Sequence, residues 1–389
     1  MTMRRNLLLI YLIGVLYYAA WQGVAPFIPL RIQALGATPV VLGLLMAVGA
    51  LVPVIAAIPV GMLTARLGPR TITTAGCAGA AVAFWSLGWV AGVPAAAAGL
   101  ALMGLSQTLI LVATQTLAMG DTTHRAHVAG MYMFATSIGQ VIGPAAAGVL
   151  VVLGGYGLAF SVCALFALAS AGIAVAISGS ARGGKVTRLG LSFQVIRRNP
   201  EVRRSLYASN LSEYTFGFWQ TFFPVLLHQF HLSPALIGLL FSTRAFASMS
   251  VRPFVGHLSQ MAHRNLLMGI ALAGGALSLL LLPFTKALVV LAAHIAMMGA
   301  SLGLLFPVAL VTFSEGFPLA QLATATGVRL GLSRLAQALG PASLGVAVEA
   351  AGLGAGFVIA GAGMAMLAAR FLLPKPAGAA RVPSETPAP

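Results

Sequence analysis

Apolar residues dominate the chain in runs of about twenty, the length that crosses a bilayer as one helix. Short polar, proline-rich or glycine-rich segments punctuate them. The pattern predicts spans near 7–30, 39–62, 71–91, 94–119, 127–152, 156–178, 204–228, 234–256, 266–283, 288–312, 324–348 and 352–373. The expected fold class is an all-α membrane protein of twelve transmembrane helices in two pseudo-symmetric six-helix halves. The halves are drawn at 1–178 and 204–373, with a linker at 179–203 and a Pro/Ala-rich tail at 374–389 expected to be disordered.

The two halves are readable as an internal repeat. The stretch GMYMFATSIGQVIGPAAAG, Gly130 to Gly148, has a second copy at GVRLGLSRLAQALGPASLG, Gly327 to Gly345. Pro29 and Pro224, Pro39 and Pro234, Gly43 and Gly238, and Gly61 and Gly256 keep the same offset, about 195 residues (256 − 61). An even number of spans per half gives both copies one orientation, related by an axis along the membrane normal. Small residues within a span let another backbone come close. Gly143-Pro144 and Gly340-Pro341 are therefore expected where spans 5 and 11 pack on a helix of the opposite half.

Composition agrees: 59% of residues are hydrophobic, 7% are charged and mean hydropathy is +0.97. A soluble domain of this kind would be one apolar patch. The formal charge is +16. Its basic residues gather at the N-terminus, in even-numbered connections and in the tail, while the other side carries Arg31 and Lys286. This asymmetry places both termini and the linker in the cytoplasm of a cell (inner) membrane protein and removes the need for a nucleic-acid partner. LSFQVIRR at 191–198 suits a short amphipathic helix on the inner leaflet. Cys77 and Cys163 fall inside spans and read as small apolar residues. The connection GDTTHRAH at 120–127 allows an Asp121–Arg125 pair but reads as a solvated loop, so no metal site and no cofactor are expected.

Between spans 2 and 3 the chain reads GMLTARLGPR. Gly61, Leu63, Arg66, Gly68 and Arg70 resemble the cytoplasmic signature of the major facilitator superfamily, G-x-L-a-D-R-x-G-R-R. Ala65 stands where that family has aspartate. Gly256, Leu258, Ser259 and Arg264 echo the pattern in the second half, with Gln260 in the acidic position. Gly130, Gly139, Gly143, Pro144 and Gly148 resemble the same family's span-5 motif, departing only at Ala147. That motif is associated with exporters working by antiport. The resemblance implies efflux, with signature and span-5 residues serving conformational change.

Candidate chemistry lies deep in the spans. In span 1, Tyr18 and Gln22, with Trp21 beside them, share one helical face and suit cavity lining, an interfacial aromatic belt being the alternative. Gln107 in span 4 suits either a helix-helix contact or a cavity wall. Glu213, Arg244 and Arg334 sit near mid-span, where a charge costs about 2.5–3.5 kcal/mol and normally faces a cavity or a partner. Glu213 reads either as a lock that neutralises an arginine or as a switch that takes a proton when the arginine leaves. His294 in span 10 reads as a helix contact or as a site residue.

These features favour a monomeric secondary transporter, partnered by a small organic solute, the bilayer and protons. Efflux of an amphipathic drug or metabolite is the first expectation, and uptake or exchange of an organic anion or sugar the second. A membrane enzyme would need a catalytic constellation such as H-E-x-x-H, which is absent from the sequence. A non-transporting sensor or scaffold would more naturally carry a signalling domain.

Overall fold

The computed structural model describes residues 2–89, 91–118, 125–177, 199–317 and 319–373. They form α-helices with two short 3-10 turns, and no strand occurs among the described residues. The first half holds α1 (Thr2–Val24), α2 (Phe27–Ala34), α3 (Pro39–Leu67), α4 (Pro69–Trp89), α5 (Val93–Ala118) and α6 (Arg125–Val175). The second holds α7 (Pro200–Gln229), α8 (Pro234–Val251), α9 (Val255–Met261), α10 (Arg264–Leu281), α11 (Leu288–Glu315) and α12 (Leu319–Leu372). Predicted features at 120–124, 179–198 and 374–389, Asp121 and the amphipathic 191–198 included, lie outside the described residues.

Local chemistry sets the boundaries. Thr38 caps α3 and Ser233 caps α8, each accepting from the N–H three residues on at 3.4 Å, and each is followed by proline at the first helical position. The two caps are repeat equivalents. Gly155 (φ 72°) and Gly352 (φ 84°) divide α6 and α12 into two arms, a left-handed conformation that glycine adopts without a Cβ clash. Nine helical stretches in the described residues are long and apolar enough to cross a membrane. Two of them, 46 and 48 residues long, pass twice as hinged arms. Helix α7 is not among the nine, because Arg203, Arg204, Asn210, Glu213 and Gln220 dilute its apolar character. The set is consistent with twelve passes. Ile55, Leu153 and Val289 are exposed as in a belt meant for lipid, and Cys77 and Cys163 are buried free thiols.

The halves meet along two seams related by the repeat. On one, the position a Cβ would take at Gly43 of α3 lies against the Pro341 carbonyl of α12; on the other, Gly238 of α8 lies against the Pro144 carbonyl of α6. Each seam has a second contact. A Cβ on Gly345 would lie 3.0 Å from the Pro39 oxygen, and one on Gly148 would lie 2.6 Å from the Pro234 oxygen. All four belong to the end of the molecule where α3 and α8 begin, away from the chain termini. At the terminal end, Gly61, Gly256, Gly327 and Gly331 would offer a Cβ open space.

Gly143-Pro144 and Gly340-Pro341 do lie where α6 and α12 pack on the opposite half, but it is the proline carbonyls that make that contact. Gly143 and Gly340 do not face the opposite half. A Cβ on Gly143 would strike the Ala19 carbonyl of α1, and one on Gly340 the Tyr214 carbonyl of α7, both within their own half. Successive residues point about 100° apart around a helix. The glycine therefore serves one neighbour while the carbonyl of the proline beside it serves another.

Candidate functional site

Helices α1, α7 and α12 bring the deep polar residues together. Glu213 is half-buried on α7, and its carboxylate makes no hydrogen bond to a described residue. Arg334 and Arg329 of α12 are near enough for their charges to act on its carboxylate. Arg334 also reaches the hydroxyls of Tyr17 and Tyr18 electrostatically, across the boundary between halves. Its Nη1 donates to Gln337 Oε1 at 2.9 Å instead of to Glu213. The packing beneath is tight, since a Cβ on Gly217 of α7 would meet the Gln337 carbonyl. Ser333 Oγ donates to Asn210 Oδ1 at 3.2 Å and ties the same two helices. The result is one acid facing two arginines without a direct ion pair.

Arg244 stands apart from this group. It is 6% exposed, and its guanidinium carbon lies 5.2 Å from the Phe216 ring centre and 5.6 Å from that of Trp219. Trp219 is fully buried, stacked on Phe223 and tilted against Phe241. Two turns along, Arg252 Nη1 donates to Ser137 Oγ of α6 at 3.0 Å, a link between the halves.

The remaining expected residues are spread more widely. Tyr18 is half-buried, edge-on to Tyr17 at 5.6 Å. Trp21 packs inside the first half, on Tyr17 and on Phe84 of α4. Gln22 and Gln107 are half-buried, and their side-chain amides make no hydrogen bond to a described residue. The His294 carbonyl accepts from Ser278 of α10 at 2.8 Å, and its imidazole makes no hydrogen bond to Glu213, Arg244 or Arg334. Gly139 lies against Val15 and Ala19 of α1. Arg66 and Arg70 are exposed at the terminal end, and the Arg70 carbonyl accepts from Thr74 Oγ1 at 3.0 Å. No group of three potential metal ligands occurs among the described residues. A cavity of about 400 Å³ lies at the terminal end of the second half, lined by Glu201, Arg203, Arg204, Tyr207 and Arg370 among others, outside the cluster just described.

Three features escaped sequence reasoning. Thr114 and Tyr132 share a buried hydrogen bond of 2.9 Å between α5 and α6. Arg329 has an Nε enclosed without a partner. Glu349 bonds across the halves to the start of α3. Glu349 had a visible signal, being one of only six acidic residues in a chain of +16.

A helical membrane body in two like halves, sealed along two seams at one end and holding a charged cluster between them, defines a membrane transporter. The chain belongs to the Major Facilitator Superfamily, whose model matches residues 10–223 and again 206–389. No curated protein sequence matches it. Solved structures with the same fold include the human organic anion transporter MFSD10 (TETRAN), 18% identical over 96% of this chain and 100% of that one, with a TM-score of 0.68. The D323A mutant of the nucleoside transporter NupG is 15% identical over 94% and 98%, with a TM-score of 0.79. A bacterial homologue of the human lysosomal transporter Spinster, inward-facing and occupied, is 15% identical over 94% and 95%, with a TM-score of 0.78.

Proposed function

We propose that this protein exports small amphipathic organic solutes across the cell membrane by alternating access, driven by protons, with both termini in the cytoplasm. The observation that carries the reading is the arrangement around Glu213. A carboxylate at mid-span faces Arg329 and Arg334, bonded to neither, between halves whose glycine seams lie at one end. With the termini cytoplasmic, the glycine seams lie at the outer end, which supports reading this conformation as inward-facing. Glu213 then takes a proton when the arginines withdraw and gives it up when they return. Export follows from the span-5 glycine pattern. The test is uptake into inverted vesicles or proteoliposomes of a panel of organic cations, neutral solutes and organic anions, with and without an imposed pH gradient. Gradient-dependent accumulation of one class supports the reading. Equal, downhill-only movement in both conditions overturns proton coupling.

The arginine surplus favours a second reading, uptake or exchange of an organic anion. Running the same assay with the gradient reversed separates the two directions.

A further inference from the structure

Arg244 occupies a position that the fold does not need it to fill. Its repeat equivalent is Gly49 (49 + 195 = 244). The two backbones do the same job. A Cβ on Gly104 would meet the Gly49 carbonyl, and one on Gly299 would meet the Arg244 carbonyl. The first half completes this helix crossing with no side chain at all, so the guanidinium is an addition to the scaffold.

The addition is expensive where it stands. Arg244 is 94% withdrawn from solvent, given its 6% exposure. Its guanidinium makes no hydrogen bond or ion pair with a described residue, and its Nε is fully enclosed. The faces of Phe216 and Trp219 offer it cation–π contact, which returns less than burial of an unpaired ion costs. The other charge in range is Arg252, of the same sign and bonded to Ser137. Glu213 is one turn from Phe216 on α7 but faces the arginines of α12. A buried cation in this environment calls for a counter-anion, and no described residue supplies one.

We infer that Arg244 anchors the substrate, and that the substrate is an amphipathic organic monoanion, its carboxylate on the guanidinium and its apolar body against the half-buried ring of Phe216. The planar fork of arginine suits a carboxylate held by two parallel hydrogen bonds. The aromatic shelf suits a flat or oily body and disfavours a small hydrated ion such as chloride. The inference rests on the reading of the inter-half cluster as the transport path and holds for either direction.

The test uses the full-length protein purified in nanodiscs. Benzoate, salicylate and octanoate are compared with benzamide, salicylamide and octanamide by thermal shift and by calorimetry. At least one carboxylate is expected to raise Tm where its amide does not. Its affinity should fall at least tenfold in Arg244→Met, and in part in Arg244→Lys, which keeps the charge without the fork. If the methionine variant does not fold, the lysine variant carries the comparison. Absence of carboxylate binding, unchanged affinity in the variants, or equal stabilisation by chloride would overturn the anchor. The same solutes are then assayed in proteoliposomes. Binding without movement of a carboxylate keeps the anchor and sinks the transport reading. Movement of neutral solutes alone, indifferent to Arg244→Met, keeps transport and sinks the anchor.

Discussion

One carboxylate oxygen of Glu349 accepts the backbone N–H of Val40 at 2.9 Å, joining the first arm of α12 to the first turn of α3 across the two halves. Thr38 already serves the next free N–H, that of Val41. A negative charge from the second half thus caps a helix of the first, where the helix end carries partial positive charge. The repeat equivalent of Glu349 on α6 is Val152 (349 − 197 = 152), so this clasp exists on one seam only.

Removing the clasp should loosen the closed end. An exposed charge at a helix N-terminus contributes about 0.3–1 kcal/mol, so Glu349→Ala is expected to shift the population toward opening at that end about two- to fivefold. Electron–electron distance measurements between spin labels at residues 36 and 350 check this. An unchanged distance distribution would show that the bond follows closure and does not hold it.

The seam glycines and the motif glycines should respond differently. Gly43→Ala and Gly238→Ala put a methyl group onto a carbonyl of the opposite half, so both should bias the protein away from this conformation while leaving each half folded. Gly143→Ala and Gly340→Ala crowd a helix of their own half, and should lower thermal stability by about 1–3 kcal/mol, the usual range for overpacking. Melting temperature and cross-seam disulfide trapping, measured on all four variants, separate the two effects. Equal loss of stability throughout would contradict the division.

Glu213→Gln keeps the shape of the side chain and removes its charge. It is expected to abolish proton-driven accumulation while sparing substrate binding and downhill exchange. Counterflow and gradient-driven uptake in the same proteoliposomes provide the two readouts. Normal uphill transport by this variant would rule out Glu213 as the coupling group, leaving His294 to be tested next.

Topology is checked by labelling. Single cysteines introduced at 185 and 231 should react with an impermeant maleimide from opposite sides of the membrane. Cys77 and Cys163 are buried and should remain silent. Labelling from one side only would break the orientation inferred from the basic residues.

Much of this architecture could be read from the chain because bilayer length, proline–glycine punctuation and the repeat act along the sequence. Pro39 and Pro234 announced the helix starts where they occur, and the glycine pairs marked close approach. The chain did not show which neighbour each glycine serves, since Gly143 and the Pro144 carbonyl differ by one step around a helix. Pairings hid for the same reason. The bond from Glu349 to Val40 spans 309 positions, and no periodicity encodes a contact that two separate helices make by docking. The cluster was legible in membership more than in partnership: Glu213 and Arg334 do approach, while Arg244 lies in an aromatic niche of its own.

The repeat also shows how duplication has been spent. Glu213 stands where the first half has Tyr18, Arg244 where it has Gly49, and Arg334 where it has Ser137. The twin bodies share their bearings and have divided their labour. On the reading proposed above, ionic grip belongs to the second body, and the first presents a mostly neutral wall. Changes in the wall should therefore tune how fast the cycle turns, and changes in the grip what it carries.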